Sequence, residues 1–393
     1  MATDNKNKVL NVPNLRFPEF TEEWRKYKVS DVLDFYSTNS LSWEQLDYNN
    51  EDLYNLHYGL IHVGLPILVD IGQNKLPGIK TECKPKNFEL CKEGDVAFAD
   101  ASEDTNDVAK AIEFVNLNNH KTVCGLHTIH GRDNKHLTVL GYKGYAFASP
   151  LFHNQIRRIA QGTKIYSISS KNFAECYIGI PSKDEQSKIA RLLALIDSRI
   201  AIQNKIIEQL QSLIKGIRVR LFSFDNYDIK YLGDLCSITT GKLDANAMVE
   251  NGKYPFFTCA EYTFRIDEYA FDTEALLISG NGANLGYIHY YNGKFNSYQR
   301  TYVLDKFSVE VMYLKYYLET FLNQRINQEV NVGNTPYIVL STLTKMKIKI
   351  PDISQQRNII NVLSNLNLKL NQEKDILSAY QTQKAYLLRN LFI

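Results

Sequence analysis

Phosphate chemistry would be sought first where glycine stands beside a cation, because backbone N–H groups close on an anion only where no Cβ intervenes. SITTGKL (237–243) places Gly241 next to Lys242, but no glycine stands five positions before Gly241 and no Ser or Thr follows Lys242. It is not a P-loop. SGNGANLG (279–286) follows an apolar run, yet Gly280, Gly282 and Gly286 have the wrong last interval for a dinucleotide cradle, and no acidic ribose ligand stands out. A turn is the better reading. No Asn-Pro-Pro-aromatic methyltransferase signature and no GxSxG elbow occur, so no catalytic residue is expected.

Metal chemistry finds no spacing either. Cys83, Cys91, Cys124, Cys176, Cys236 and Cys259 are scattered without a CxxC pair, which reads as ordinary thiols of a reducing compartment rather than a disulfide framework. His127 and His130, in GLHTIHG, lack a second ligand cluster of zinc spacing. Neither metal nor cofactor is expected in this chain. The start, MATDNKNKVL, has no apolar h-region, and no window nears the roughly 18 apolar residues of a membrane span. A cytoplasmic, soluble protein with no membrane partner is expected.

The chain must then be understood through the elements that would position binding groups. Its 393 residues, 44% hydrophobic and 12% aromatic, suit two or three globular domains. One segment recurs 170 residues later without a gap: 180–222 aligns with 350–392, with identities at Ile180/Ile350, Pro181/Pro351, Gln186/Gln356, Ile189/Ile359, Leu193/Leu363, Ile206/Ile376, Gln211/Gln381, Leu221/Leu391 and Phe222/Phe392. Proline at the start and the absence of later breakers, Gly216 excepted, predict two long helices. Ile189, Leu193, Ile196, Ile200, Ile207, Leu210, Ile214, Ile217 and Leu221 step by fours and threes once Gln203 takes its slot, which is a heptad seam. The second copy keeps it, with Glu373 in the slot of Gln203 and Lys384 as a further departure. A polar seam residue sets register or snorkels to solvent. Two matched seams in one chain predict an antiparallel pair.

Residues 1–179 and 224–349 are rich in Tyr, Phe, Val, Ile and glycine-containing turns, and each reads as a mixed α/β globule. Their openings, YKVSDVLDFYS (27–37) and IKYLGDLCSIT (229–239), share hydrophobic spacing, and so do their ends, GTKIYSISSKNFAECYIGIP (162–181) and GNTPYIVLSTLTKMKIKIP (333–351). Their interiors do not align. A duplicated frame around different inserts suggests one task performed on two targets. The expected organisation is two α/β domains, 1–179 and 224–349, separated by helical spacers 180–223 and 350–393.

LRFPEFTEEW (15–24), FADASED (98–104), YPFFTCAEY (254–262), LLISGNGANLGYI (276–288), NSYQRTYVL (296–304) and both IP…Q helices resemble the specificity subunits of type I restriction-modification systems. The resemblance implies two target-recognition domains, each reading half of a split double-stranded DNA sequence. It implies partners too: two methyltransferase subunits, bringing S-adenosylmethionine, and two restriction-translocase subunits, bringing ATP and Mg. A coiled-coil scaffold with two protein-binding end domains is the alternative.

Side chains that could read bases follow from chemistry, since amide and guanidinium groups distinguish base edges in the major groove. In the second domain these are Asn281, Asn284, Gln299, Arg300, Asn334 and Thr335; in the first, Ser102, Glu103, Thr105, Asn106, His127 and Lys164 occupy broadly corresponding places. Charge is distributed unexpectedly: 20 basic against 22 acidic residues in 1–179, 12 against 14 in 224–349, but 8 against 4 and 5 against 3 in the spacers. Domains without bulk positive charge should grip phosphates modestly by themselves.

Overall fold

The structure, a computed structural model, describes residues 10–329 and 337–393. The chain forms two compact units, Met1–Gln203 with Ile376–Ile393 and Asn204–Asp375. Both are mixed α/β, and each contains one half of each of two long helices, Lys183–Leu221 and Ile353–Asn390.

Seam positions decide how those helices pack. Ile189, Leu193, Ile196, Gln203, Ile207 and Ile214 are buried and Ile200, Leu210, Ile217 and Leu221 half-buried. The second helix repeats this: Ile359, Leu363, Glu373, Leu387 and Leu391 are buried, with Leu366, Leu370, Leu377, Tyr380 and Lys384 between exposure and burial. In the first unit Asp197 Oδ1 meets Lys384 Nζ at 2.5 Å and Arg199 meets the Tyr380 hydroxyl at 3.3 Å, so one number falls as the other rises. The helices are antiparallel. Lys384, the departure in the second seam, is thereby accounted for as an ion-pair donor, and Asp197 also accepts from Tyr145 at 2.8 Å. Glu373 is paired with Lys369 one turn away at 2.5 Å. Asp184 and Glu185 in the first turn and Arg218 and Arg220 in the last complement the dipole of the first long helix.

Each unit hangs its domain on the same frame. In the first, strand Arg25–Lys28 pairs antiparallel with Tyr177–Ile180; in the second, Asp228–Tyr231 pairs with Lys347–Ile350. The fully buried Tyr142 donates its hydroxyl to the Gly179 carbonyl at 2.7 Å, and Tyr313 donates to Lys349, 170 positions later, at 2.6 Å. Gln186 Nε2 donates to the Pro181 carbonyl and Gln356 Nε2 to that of Pro351, both at 2.9 Å. Phe392 packs on Tyr142 and Phe222 on Tyr313, with ring centroids 5.8 and 5.7 Å apart. The repeated Ile-Pro, Gln and Phe identities are thus the parts of one reused joint.

Inside that joint the domains differ. The first carries a five-stranded sheet in the order Asp34–Tyr36, Thr128–Arg132, Val96–Ala99, Ala111–Asn116, Leu68–Asp70, and a four-stranded sheet, Thr122–Cys124, Tyr54–Leu56, Gly78–Ile79, Leu46–Asp47. Phe98, Phe147, Phe152 and Phe173 form the aromatic centre of its core. The second carries a six-stranded sheet, Ser237–Thr240, Thr301–Asp305, Phe271–Ser279, Ile288–Ser297, Tyr254–Phe257, Phe264–Ile266, covered by helix Val311–Glu329.

Candidate nucleic-acid interface

In the second domain a single sheet end gathers the polar loops. Strands Phe271–Ser279 and Ile288–Ser297 are joined by the SGNG segment, a turn as its spacing suggests: Gly282 and Gly286 have φ of +81° and +82°, and the Gly286 N–H donates to the Ser279 carbonyl at 2.9 Å. The loop holding Gln299 and Arg300 is stitched to it, since the Gly280 N–H donates to the Arg300 carbonyl at 2.9 Å. A third loop joins through the Gly241 N–H, which donates to the Thr301 carbonyl at 3.3 Å. A Cβ at Gly241 would stand 1.9 Å from the Ser297 carbonyl oxygen, so glycine here serves close backbone packing rather than phosphate binding.

Asn281, Asn284, Gln299 and Arg300 therefore share one edge, with Gln299 and Arg300 exposed and Asn281 half-buried on a bridge to Tyr337. Asn284 is already engaged, its amide donating to the Cys259 carbonyl at 3.1 Å, which makes it a loop tie as well as a candidate reader. Asn334 and Thr335 lie outside the described residues. The same edge exposes Lys242 and the rings of Tyr262, Tyr287 and Tyr337, which were not picked out as candidates. Their signal was faint, because 25 tyrosines are spread through the chain. Burial draws the His289 imidazole below its usual range and pushes the Tyr302 phenol above its own.

In the first domain the two-stranded pair Ala101–Ser102 and Tyr166–Ser167 organises the candidates, with Ser102 opposite Tyr166. Glu103, Thr105 and Asn106 follow Ser102 in a turn held by Asp104, whose Oδ1 accepts from the Asn106 backbone and side chain at 2.9 Å. Lys164 is exposed two residues before Tyr166. His127, at φ +53°, meets Asp100 Oδ1 at 3.2 Å, and the Ile168 N–H donates to the Asp100 carbonyl. Burial raises the Asp100 carboxyl above its usual range, although His127 pulls it back. All six candidates thus lie around one strand pair. Arg157, missed in the sequence, donates to Asn106 Oδ1 at 2.8 Å and adds a guanidinium to the same edge. It sits in the last turn of helix Pro150–Ile159, where a basic residue is also expected for the helix dipole, so its position told nothing of the loops.

Residues 21–212 and 225–378 match the family described as the type I restriction modification DNA specificity domain. The chain belongs to that family. A specificity subunit of the Escherichia coli type I restriction enzyme EcoDI is 39% identical over 143 residues, 36% of this chain and 32% of that protein. The chain thus matches about a third of that relative's length. The MjaIX specificity subunit of Methanocaldococcus jannaschii is 23% identical over 293 residues, 64% of this chain and 68% of that protein. Among solved structures, the S subunit of a type I restriction-modification system from M. genitalium superposes with a TM-score of 0.61 at 20% identity, covering 97% of this chain and 99% of that one. A chain from a study of complex assembly and conformational transition in the type I system gives 0.59 at 16% identity, covering 93% and 96%. These share the fold: two α/β domains with two long helices. Among the described residues no helix is long and apolar enough to cross a membrane.

Proposed function

We propose that this chain is the non-catalytic, sequence-reading subunit of a type I restriction-modification complex and recognises a bipartite double-stranded DNA target. Domain 1–179 reads one half and domain 224–349 the other; spacers 180–223 and 350–393 hold them and dock the partner subunits. One observation carries the reading: a single frame, joint for joint, is used twice around two unlike interiors, each presenting polar loops at one edge. A protein with one target has no use for two different readers on identical mounts.

The long helices support the partner assignment. Leu195, Ile202, Ile206 and Leu213 are exposed on the first at steps of seven, four and seven, a second apolar stripe beside the buried seam. Ile376, the repeat equivalent of Ile206, is exposed on the second. The other equivalents on the second helix are Asn365, Gln372 and Gln383, so the stripe itself is not repeated. The duplicated frame is what suits two copies of one modification subunit, which would bring S-adenosylmethionine, with two restriction subunits bringing ATP and Mg. Since neither domain has net positive charge, partners would supply much of the backbone grip.

The test is to replace residues 1–179 by another recognition domain and map methylated adenines genome-wide in cells carrying the assembled complex. One half of the methylated sequence should change and the other persist. Alteration of both halves, or of neither, would overturn the two-reader assignment.

A further inference from the structure

The first domain buries a cluster that DNA reading does not use. Cys91 Sγ and Cys124 Sγ lie 3.6 Å apart, and a ring nitrogen of His130 stands with them so that all three atoms fall within 4.8 Å of one another. Cys91 precedes strand Val96–Ala99, Cys124 ends Thr122–Cys124 and His130 lies within Thr128–Arg132, so three separate segments converge. The histidine is oriented. Its Nε2 meets Asp95 Oδ2 at 2.7 Å, and Asp95 is fixed in turn by Arg132, whose Nε and Nη2 each donate to it at 2.8 Å. In the neutral imidazole that donates Nε2–H to the carboxylate, Nδ1 carries the lone pair; it is buried and has no hydrogen-bond partner. A buried acceptor left without a partner is destabilising unless a ligand satisfies it.

We propose that Cys91, Cys124 and His130 bind a thiophilic divalent cation, Zn2+, in a Cys2His site. The sulfur spacing fits, since two thiolates on one tetrahedral zinc stand about 3.7 Å apart at Zn–S of about 2.3 Å. The histidine fits, because metal-bound imidazoles characteristically donate their other N–H to a carboxylate. Charge fits as well. Binding releases two thiol protons, and one Zn2+ with two thiolates and a neutral imidazole is a neutral unit that a buried site tolerates. Closing the triangle needs the imidazole to approach the sulfurs by about an ångström, to the Zn–N distance of about 2.0 Å. Cys124 also lines a cleft with Asn39, Cys83, Phe88 and Val123, and water or a further ligand would complete the tetrahedron. The cation would clip the four-stranded sheet, through Cys124, to the five-stranded sheet, through His130.

The full-length chain, purified from zinc-supplemented cells and dialysed, should retain one zinc per chain by elemental analysis. Cobalt substituted for zinc should show a thiolate-to-cobalt charge-transfer band and intense four-coordinate d–d bands. Cys91→Ser and Cys124→Ser should abolish the charge transfer or cut it by about half, whereas Cys176→Ser and Cys236→Ser leave it intact. Asp95→Asn should weaken retention about 10–100-fold. Should the serine variants fail to fold, X-ray absorption of the wild-type zinc protein still decides, by counting two sulfur scatterers. Sub-stoichiometric zinc with all six thiols free, a Cys91–Cys124 disulfide in mapped peptides, or a cobalt spectrum without sulfur charge transfer would each overturn the proposal.

Discussion

The two globular domains meet the long helices through the same joint yet are stabilised differently inside. The first buries charge: Asp95, Glu113, His130, Arg132 and Lys143 are all nearly inaccessible, and Asp95 binds both His130 and Arg132. Burial alone would raise the Asp95 carboxyl, but hydrogen bonds from His130 and Arg132 prevail and hold it below its usual range. Glu113 shows the reverse balance, with burial keeping its carboxyl high despite Lys143 and two backbone donors at Gly141 and Gly144. The second domain has a largely apolar and aromatic interior around Phe256, Phe295 and Tyr313, and among its described residues the buried polar groups off the long helices are Thr, Ser and Asn. A duplicated mount therefore constrains only what touches it. The Tyr hydroxyl, the Gln amide and the terminal Phe recur because the helix repeat needs them; the rest was free to diverge into two surfaces.

The contrast is sharpest at Asp95. Asp95→Ala strands a guanidinium and an imidazole in a dry interior and should cost the first domain about 3–5 kcal/mol. Urea unfolding followed by domain-specific proteolysis should show the first domain opening early while the second holds. Simultaneous loss of both would mean that the two interiors are one cooperative unit.

Gln186 and Gln356 test the joint where its copies are unequal. Gln186 also accepts from the Val139 N–H at 2.9 Å and donates to the Leu137 carbonyl at 3.1 Å, whereas Gln356 leaves its Oε1 without a partner. Gln186→Ala should cost about 2–3 kcal/mol and Gln356→Ala about 1 kcal/mol. Equal losses in chemical denaturation would show that the additional bonds contribute nothing.

At the polar edge of the second domain, Arg300→Ala should cost about 1–3 kcal/mol of specific binding if its guanidinium takes a guanine edge, relaxing one position of one half-site. Methylome sequencing separates this from a phosphate contact, which would weaken every sequence alike. The smallest effect is the most diagnostic of the shared frame. Tyr142→Phe and Tyr313→Phe each delete one hydroxyl hydrogen bond to the strand that leads into a long helix, and each should cost about 1 kcal/mol. A large difference between them in parallel melts would break the equivalence of the two mounts.

Much of this was legible before any fold was known, and for a stated reason. The heptad seams, the polar slots at Gln203 and Glu373, the Ile-Pro starts and the turn at SGNG are patterns over a few residues, where periodicity and glycine chemistry leave few solutions. The repeat itself announced a duplicated frame, because copies 170 residues apart preserve the residues that make the joint. The candidates around Ser102 and around Arg300 were placed by their loop-like surroundings, and the loops do converge. Lys384 was visible as a break in the seam, but its partner Asp197 was not, since nothing local to Lys384 names a residue on the other helix. The same limit hid the frame tyrosines, Arg157 and the cluster of Cys91, Cys124 and His130. Their proximity depends on strand order and register between segments tens of residues apart: Thr128–Arg132 beside Val96–Ala99, Tyr54–Leu56 beside Thr122–Cys124. Side-chain spacing along a chain encodes which face a residue occupies. Which other face it meets is set by sheet pairing and packing, and only the tertiary structure decides that.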